Sequence, residues 1–110
     1  MRTGRSDAID IFRKWSADGA LIRFQGTFFN FAFSSWGKIS AIDDNELRIM
    51  ADDHESELVV RFTSDIQFGY VDSRTVTGEE KGFEESIAIF FNLPAVREPD
   101  MITLAALKTT

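Results

Sequence analysis

The stretch that decides the fold is ALIRFQGTFFNFAFSSW, residues 20–36. Apolar and polar side chains alternate along it, and a period of two is typical of a strand with one buried face. In the first part, Ile22 and Phe24 alternate with polar neighbours. In the second part the alternation predicts one strand over residues 27–36, with a row of phenylalanines on its core face: Phe29, Phe31 and Phe33.

Further short segments of similar character follow, at residues 38–42, 46–51, 58–63, 66–71 and 86–92. Gly37, between the predicted strands 27–36 and 38–42, is expected at a bulge or bend. This density of short strands predicts a rolled sheet or small barrel. The polar segment 73–85 is expected to be a long mobile loop. Residues 101–107 carry signals for both strand and helix, and we favour a strand.

A helix is predicted before the strands, over residues 6–18. Ser6 suits the N-cap position, and Gly19 suits the left-handed residue that ends a helix. At about 100° per residue, the apolar side chains fall on one arc. That arc contains Ala8, Ile9, Ile11, Phe12 and Trp15.

We therefore expect one domain over residues 1–110, mainly β with an N-terminal α-helix. The sheet is a small antiparallel barrel or a strongly curled meander of five to seven strands; the alternative is an α+β sheet packed on one helix. This layout is similar to that of Sm-like and PilZ-type barrels. The turn motif of the PilZ pattern is not matched, because Asn30-Phe31-Ala32 lacks its serine, so neither family's site residues are transferred.

Two hairpins have predictable registers. In the first, Ile39 lies opposite Ile49 and Ala41 opposite Leu47, around a three-residue loop, 43–45, with Asn45 in the left-handed conformation. In the second, Leu58, Val60 and Phe62 face the core, and a four-residue loop, 53–56, places Arg48 directly opposite Arg61 on the outward face.

Composition excludes several classes of site. The chain has no cysteine and one histidine, which removes disulfides, thiolate zinc sites and any site that needs two imidazoles. Its net charge of −6 disfavours nucleic acid as a partner. The longest apolar runs are too short for a membrane span, and we see no secretory signal. The expectation is a soluble cytoplasmic protein that does not bind membranes.

Clusters of acidic residues at 43–46 and 52–57, the second with His54, have the composition of hairpin turns, and their spacing fits no metal-binding motif. We expect no metal and no cofactor. Carboxylates for acid–base chemistry occur at Glu79, Glu80, Glu84 and Glu85, in what is predicted to be an exposed loop.

The remaining candidates are binding surfaces. Arg48, Arg61 and Lys38 share the predicted outward face, where two arginines could hold a small anionic ligand. Phe28 and Trp36, expected on the face opposite the phenylalanine row, are candidate interface aromatics. The leading hypothesis is a non-enzymatic binding or interaction module that self-associates or binds another protein. The alternatives are a sensor of a small anion and a carboxylate-based enzyme.

Overall fold

The computed structural model describes residues 2–28, 31–70, 83–91 and 100–107. Here the chain forms one helix and a single curled antiparallel sheet, so the predicted fold class is confirmed. Seven of the eight strands found there have four or more residues. The elements are β1 (Arg2–Thr3), α1 (Arg5–Asp18), β2 (Ile22–Phe28), β3 (Phe31–Ile42), β4 (Glu46–Ala51), β5 (Glu57–Arg61), β6 (Gln67–Tyr70), β7 (Phe83–Phe91) and β8 (Asp100–Leu107).

The sheet is built from two runs of consecutive antiparallel strands. Strands β2 to β5 form one run and β6 to β8 the other, and β8 pairs with β2 to join them. The order across the sheet is β1-β6-β7-β8-β2-β3-β4-β5. The strand favoured over residues 101–107 is thus confirmed as β8, which occupies the middle of the sheet.

The chain path explains why this sheet curls. Strands β5 and β6 are consecutive in the chain but six strand positions apart in the sheet, and residues 62–66 alone connect them. In a flat sheet six spacings would separate them by roughly 29 Å. The connection reaches only about 20 Å when fully extended. The sheet must therefore bend into a half-barrel.

Helix α1 packs against the concave side of this half-barrel. Its buried face consists of Ala8, Ile9, Phe12 and Trp15, four of the five residues that the helical periodicity predicts, and the fifth, Ile11, is partly buried. The Phe12 ring lies 6.3 Å, centroid to centroid, from both Phe62, the first residue of the connection between β5 and β6, and Phe68 of β6. The Arg5 guanidinium donates hydrogen bonds to the carbonyls of Phe62, at 2.8 Å, and Thr63. The helix therefore holds the two ends of the sheet together.

The two ends of α1 differ in how well they are predicted. Gly19 ends the helix with φ of 63°, as predicted. Ser6 is wrong as the N-cap: Gly4 takes that position without a side-chain hydrogen bond, and the Ala8 amide donates to its carbonyl at 3.0 Å. The contacts of Arg5 with the connection after β5 explain why the helix includes this residue.

The predicted single strand over residues 27–36 is wrong. The chain reverses between β2 and β3, with Phe28 directly opposite Phe31; residues 29 and 30 lie outside the described residues. The alternation of apolar residues continues on both sides of this reversal, so periodicity alone does not predict it. Gly37, predicted at a bulge, lies inside β3 opposite Ala51, where an added Cβ would collide with the Met50 carbonyl.

The irregularity in β3 lies further on, between Ile39 and Ala41. Ile39 is opposite Ile49 as predicted, but Ala41 is opposite Arg48 and not Leu47, because the extra residue shifts the register. The three-residue loop at 43–45 is confirmed by the bounds of β3 and β4.

Asn45 is not left-handed, since His54 is the only non-glycine residue with positive φ in the described ranges. The Asp43 carboxylate instead accepts backbone hydrogen bonds from Asn45 and Glu46, at 2.7 and 2.9 Å. Strand β7 begins at Phe83, so the predicted loop over 73–85 is three residues too long; residues 71–82 lie outside the described ranges.

Candidate functional site

Three phenylalanine rings stack at one end of the β2–β3 hairpin, and we call Phe28, Phe31 and Phe33 the aromatic platform. The Phe28 ring lies 5.0 Å from Phe31 and 6.2 Å from Phe33, with interplanar angles of 14° and 12°. Phe31 is 58% exposed, so the predicted core row is wrong at this position, and Phe29 is outside the described residues. The platform offers a large apolar surface to a partner.

The Phe33 ring lies over β2 because Gly26 leaves space for it. Gly26 lies opposite Phe33, and a Cβ added to Gly26 would overlap the Phe33 ring. Phe33 thus covers a strand glycine, and its ring also approaches Phe24 at 6.5 Å. The other edge of β3 is consequently not covered by these rings.

That other edge is open because β3 extends beyond β4. Pairing between β3 and β4 starts at Gly37 opposite Ala51, and the Asp52 amide then donates to the Trp36 carbonyl at 3.0 Å. Backbone groups alternate in direction along a strand, so those of Ala32 and Ser34 point the same way as that carbonyl, away from β2. No strand in the described ranges pairs there. We call residues 31–35 the open β3 edge.

The open β3 edge also lacks charge. Residues 24–37 contain no Asp, Glu, Lys or Arg, although these types make up 27% of the chain. Exposed edges are usually protected by charged side chains, proline or bulges. None of these features occurs within residues 31–35.

A cavity of about 300 Å³ lies at the corner where β4 ends beside the open β3 edge. Its lining combines apolar side chains of the sheet with polar side chains of the turn after β4. The lining residues are Phe24, Phe33, Ser34, Ser35, Ala51, Asp53, Ser56, Glu57 and Leu58. The corner can therefore receive atoms of a chain that lies along the edge.

The predicted basic residues lie on the other face of the sheet. Arg48 and Arg61 share the outward face, as expected, but Arg48 is opposite Val59 and Arg61 opposite Glu46. Direct opposition of the two arginines is wrong by two residues, because the Ala51 amide donates to the Ser56 carbonyl at 2.9 Å and closes the turn earlier. Lys38, opposite Met50, faces the same way as Arg48 and is exposed.

Arg48 already has acidic partners. Its guanidinium forms ion pairs with Glu46 and, at 2.8 Å, with Glu57. The hydrogen bonds that the guanidinium donates, first to Glu46 and then to Glu57, raise the pKa of Arg48 above its usual range. An anion at this position would have to compete with two carboxylates.

The two predicted interface aromatics separate onto different faces. Phe28 is half-buried within the aromatic platform, so the expectation that it lies opposite the phenylalanine row is wrong; the chain reversal between β2 and β3 is the reason. Trp36 does lie on the opposite face, packed against Ala105 and under the Arg23 guanidinium, which is 5.4 Å from its ring centroid. Trp36 is thus partly covered within its own chain.

The acidic clusters form turns. The Asp53 carboxylate accepts hydrogen bonds from the amides of Glu55 and Ser56, at 2.8 and 2.9 Å, which lower its pKa. Across the described ranges no group of three or more His, Asp or Glu side chains could hold a metal ion. Of the predicted carboxylates, Glu85 pairs with Lys14 at 3.2 Å, the Glu84 side chain is not described, and Glu79 and Glu80 lie outside the described residues.

Sequence reasoning did not single out Gly26, Ala32 or Ser34. The signal that could have identified them is the uncharged stretch 24–37, which contains a turn-favouring residue type, Asn30. In the described part of the chain, no helix has the length and apolar character needed to cross a membrane.

Comparison of the chain with protein-family models finds no match, and comparisons with curated proteins and with solved structures find none either.

Proposed function

We propose that this chain is a non-catalytic interaction module that binds a protein partner through the aromatic platform, with self-association as its leading mode. The observation that carries the proposal is the exposed Phe31, stacked on Phe28 beside a strand edge without charge. Aromatic side chains are enriched at the centres of protein interfaces, and charged ones are depleted there.

The charge distribution favours this surface over the rest of the molecule. Each chain carries a net charge of −6, so two copies repel each other at most points of contact. The platform and the open β3 edge lie within the uncharged stretch, where that repulsion is smallest. Self-association there should strengthen with ionic strength, because salt screens the repulsion between the remaining charges.

The two alternative hypotheses receive less support. A sensor of a small anion would use Arg48, Arg61 and Lys38, but Glu46 and Glu57 already bind Arg48. A carboxylate-based enzyme needs an acid held in a walled pocket. The described acids Asp43, Asp53 and Asp65 have lowered pKa values from hydrogen bonds, which keep them ionised and suit them poorly to act as general acids.

The test is the mass of the native protein as a function of concentration, measured by analytical ultracentrifugation. We expect a reversible species of twice the 12.5 kDa chain mass. The variant Phe31→Ser should shift the midpoint to higher concentration, while Val59→Ser, at another exposed apolar residue, should not. A monomer at every concentration and salt would contradict self-association.

A further inference from the structure

We infer that two copies of this chain join by antiparallel pairing of their open β3 edges, in a register centred on Ala32. This inference rests on the proposed self-association and specifies its geometry. The second copy adds a strand beside residues 31–35 of β3, beyond the point where β4 ends at Ala51. A two-fold axis then passes between the two Ala32 residues, as in an isologous dimer.

The direction of the backbone groups restricts the centre of the pairing. The amide and carbonyl groups of Ala32 and Ser34 point away from β2, since they alternate in phase with the Trp36 carbonyl that accepts from Asp52. A hydrogen-bonded pair on the axis must therefore use Ala32 or Ser34, whereas a centre at Phe33 would put a non-hydrogen-bonded pair on the axis. The residues between them, including Phe33, hydrogen-bond toward β2.

The end of β4 decides among these three centres. Asp52 already occupies the position opposite Trp36. A centre at Ser34 would place the second copy's Phe31 opposite Gly37, where Ala51 lies. A centre at Phe33 would bring that Phe31 within about one residue rise of Asp52, roughly 3.3 Å, which is too close for unbonded backbones. The centre at Ala32 leaves about three residue rises, roughly 10 Å.

The Ala32 register also pairs the exposed aromatics. Phe31 of each copy lies opposite Phe33 of the other, on the same face of the sheet. These are non-hydrogen-bonded pairs, in which facing side chains approach most closely, and aromatic cross-strand pairs stabilise antiparallel sheets. The 58% exposed surface of Phe31 is thereby covered by the second copy.

The charges of the molecule fit this occupant. The two-fold arrangement places Phe31, Ala32 and Phe33 of one copy against the same residues of the other. The sequence around them, residues 24–37, contains no charged residue, so no like charges meet at this pairing. The acidic turn 52–57 of each copy faces the uncharged hairpin of the other. Because the contact involves one edge and one platform, we expect an interface near the lower end of the range for stable dimers, about 1,200 Å².

The chain's lack of cysteine allows a direct test of the register by single-cysteine variants. In Ala32→Cys, the two thiols face each other across the axis at a Cα separation of about 5.5 Å, which suits a disulfide. In Ser34→Cys, the two Cα atoms are four residue rises apart, roughly 13 Å, beyond disulfide reach. Under oxidised glutathione we expect Ala32→Cys to form the disulfide dimer at least about tenfold faster than Ser34→Cys.

A pair of proline variants tests the edge itself. The Ala32 amide points away from β2, so Ala32→Pro removes a donor that the monomer does not use. The matched control is Val59→Pro on β5, whose amide also points away from its neighbour because Ser56 bonds toward β4. With folding checked by circular dichroism, we expect Ala32→Pro to be monomeric and Val59→Pro to dimerise normally.

The outcomes separate this inference from the proposed function. Faster cross-linking of Ser34→Cys, or an oligomer that survives Ala32→Pro, overturns the Ala32-centred pairing and leaves self-association standing. If Val59→Pro is monomeric while Ala32→Pro still dimerises, the interface lies at β5, and the Ala32-centred pairing is again overturned. A native chain that is monomeric at all concentrations overturns both proposals.

Discussion

The β2–β3 and β4–β5 hairpins lie side by side in the sheet, because β3 pairs with β4, but they differ in the residues that they carry. The β4–β5 hairpin carries ion pairs from Arg48 to Glu46 and Glu57 on its outer face, and its turn is closed by the Asp53 carboxylate. The β2–β3 hairpin has no charged side chain after Arg23 until Lys38. It carries stacked phenylalanine rings instead.

This difference indicates where the molecule protects its edges. Strand β5 lies at the end of the sheet, and its alternating charged residues, Glu57 and Arg61, discourage pairing with other chains. The open β3 edge has no such protection. An unprotected edge beside an exposed aromatic surface is the feature expected of a contact surface.

The prediction with the largest effect truncates a buried side chain in the β4–β5 hairpin. Leu47 is completely buried on β4. We expect Leu47→Ala to lower the free energy of unfolding by about 2–5 kcal/mol, the usual range for deletion of a buried leucine side chain. Urea denaturation of the monomer measures it.

Phe31→Ala is the matched comparison. Its ring is mostly exposed but stacks on Phe28, so its loss should cost about 0.5–1.5 kcal/mol. If Phe31→Ala lowered the free energy of unfolding as much as Leu47→Ala, the Phe31 ring would be part of the core and not of a contact surface.

How far the sequence predicts these two hairpins depends on the nature of the signal. Strand β4 is predicted with its bounds, because Leu47 and Ile49 alternate with polar residues and turn residues flank the strand. The reversal between Phe28 and Phe31 is missed, because apolar alternation continues on both sides of the turn. Periodicity reports which face a residue occupies, and it does not report where a strand ends when both arms are aromatic.

The candidate site was predicted in part for the same reason. The faces of Arg48 and Arg61 follow from parity and are correct. Their partners depend on loop length, which the Asp53 side chain and the bond from Ala51 to Ser56 determine. The open β3 edge depends on the relative lengths of β3 and β4, a tertiary property that no local pattern contains.

The second prediction concerns the glycine beneath the platform. Gly26→Ala should lower the free energy of unfolding by about 1–3 kcal/mol, because the new Cβ overlaps the Phe33 ring. In the Phe33→Ala background the Cβ has room, so the cost of Gly26→Ala should fall toward zero or change sign. A double-mutant cycle in urea measures this coupling. Strictly additive losses would show that Phe33 does not cover Gly26.

The third prediction has a smaller effect. It tests whether Arg48 is paired with glutamates or lies directly opposite Arg61. Arg48→Ala should reduce stability slightly, and the loss should shrink in high salt, because it breaks exposed ion pairs with Glu46 and Glu57. Arg61→Ala should have still less effect. If the arginines were directly opposed, each single substitution would relieve repulsion and stabilise the protein, and the double-mutant cycle would reveal a repulsive coupling.

The smallest effect depends on pH and concerns the turn of the β4–β5 hairpin. Backbone hydrogen bonds from Ser56 and Glu55 lower the pKa of Asp53 below its ordinary value of 3.8. The folded state therefore binds this proton less tightly than the unfolded chain, and the stabilisation is present above pH 4 and is lost as the pH falls through the lowered pKa. Asp53→Asn should be less stable than the native chain at pH 7, and the gap should narrow below pH 4.

Asp52→Asn is the matched control, since the Asp52 side chain takes no part in the hydrogen bonds of this turn. Urea denaturation of both variants between pH 2.5 and pH 7 would separate the two acids. A pH-independent gap for Asp53→Asn would mean that the turn is held by geometry alone. The charges of the β4–β5 hairpin would then contribute to stability through its ion pairs and not through the Asp53 carboxylate.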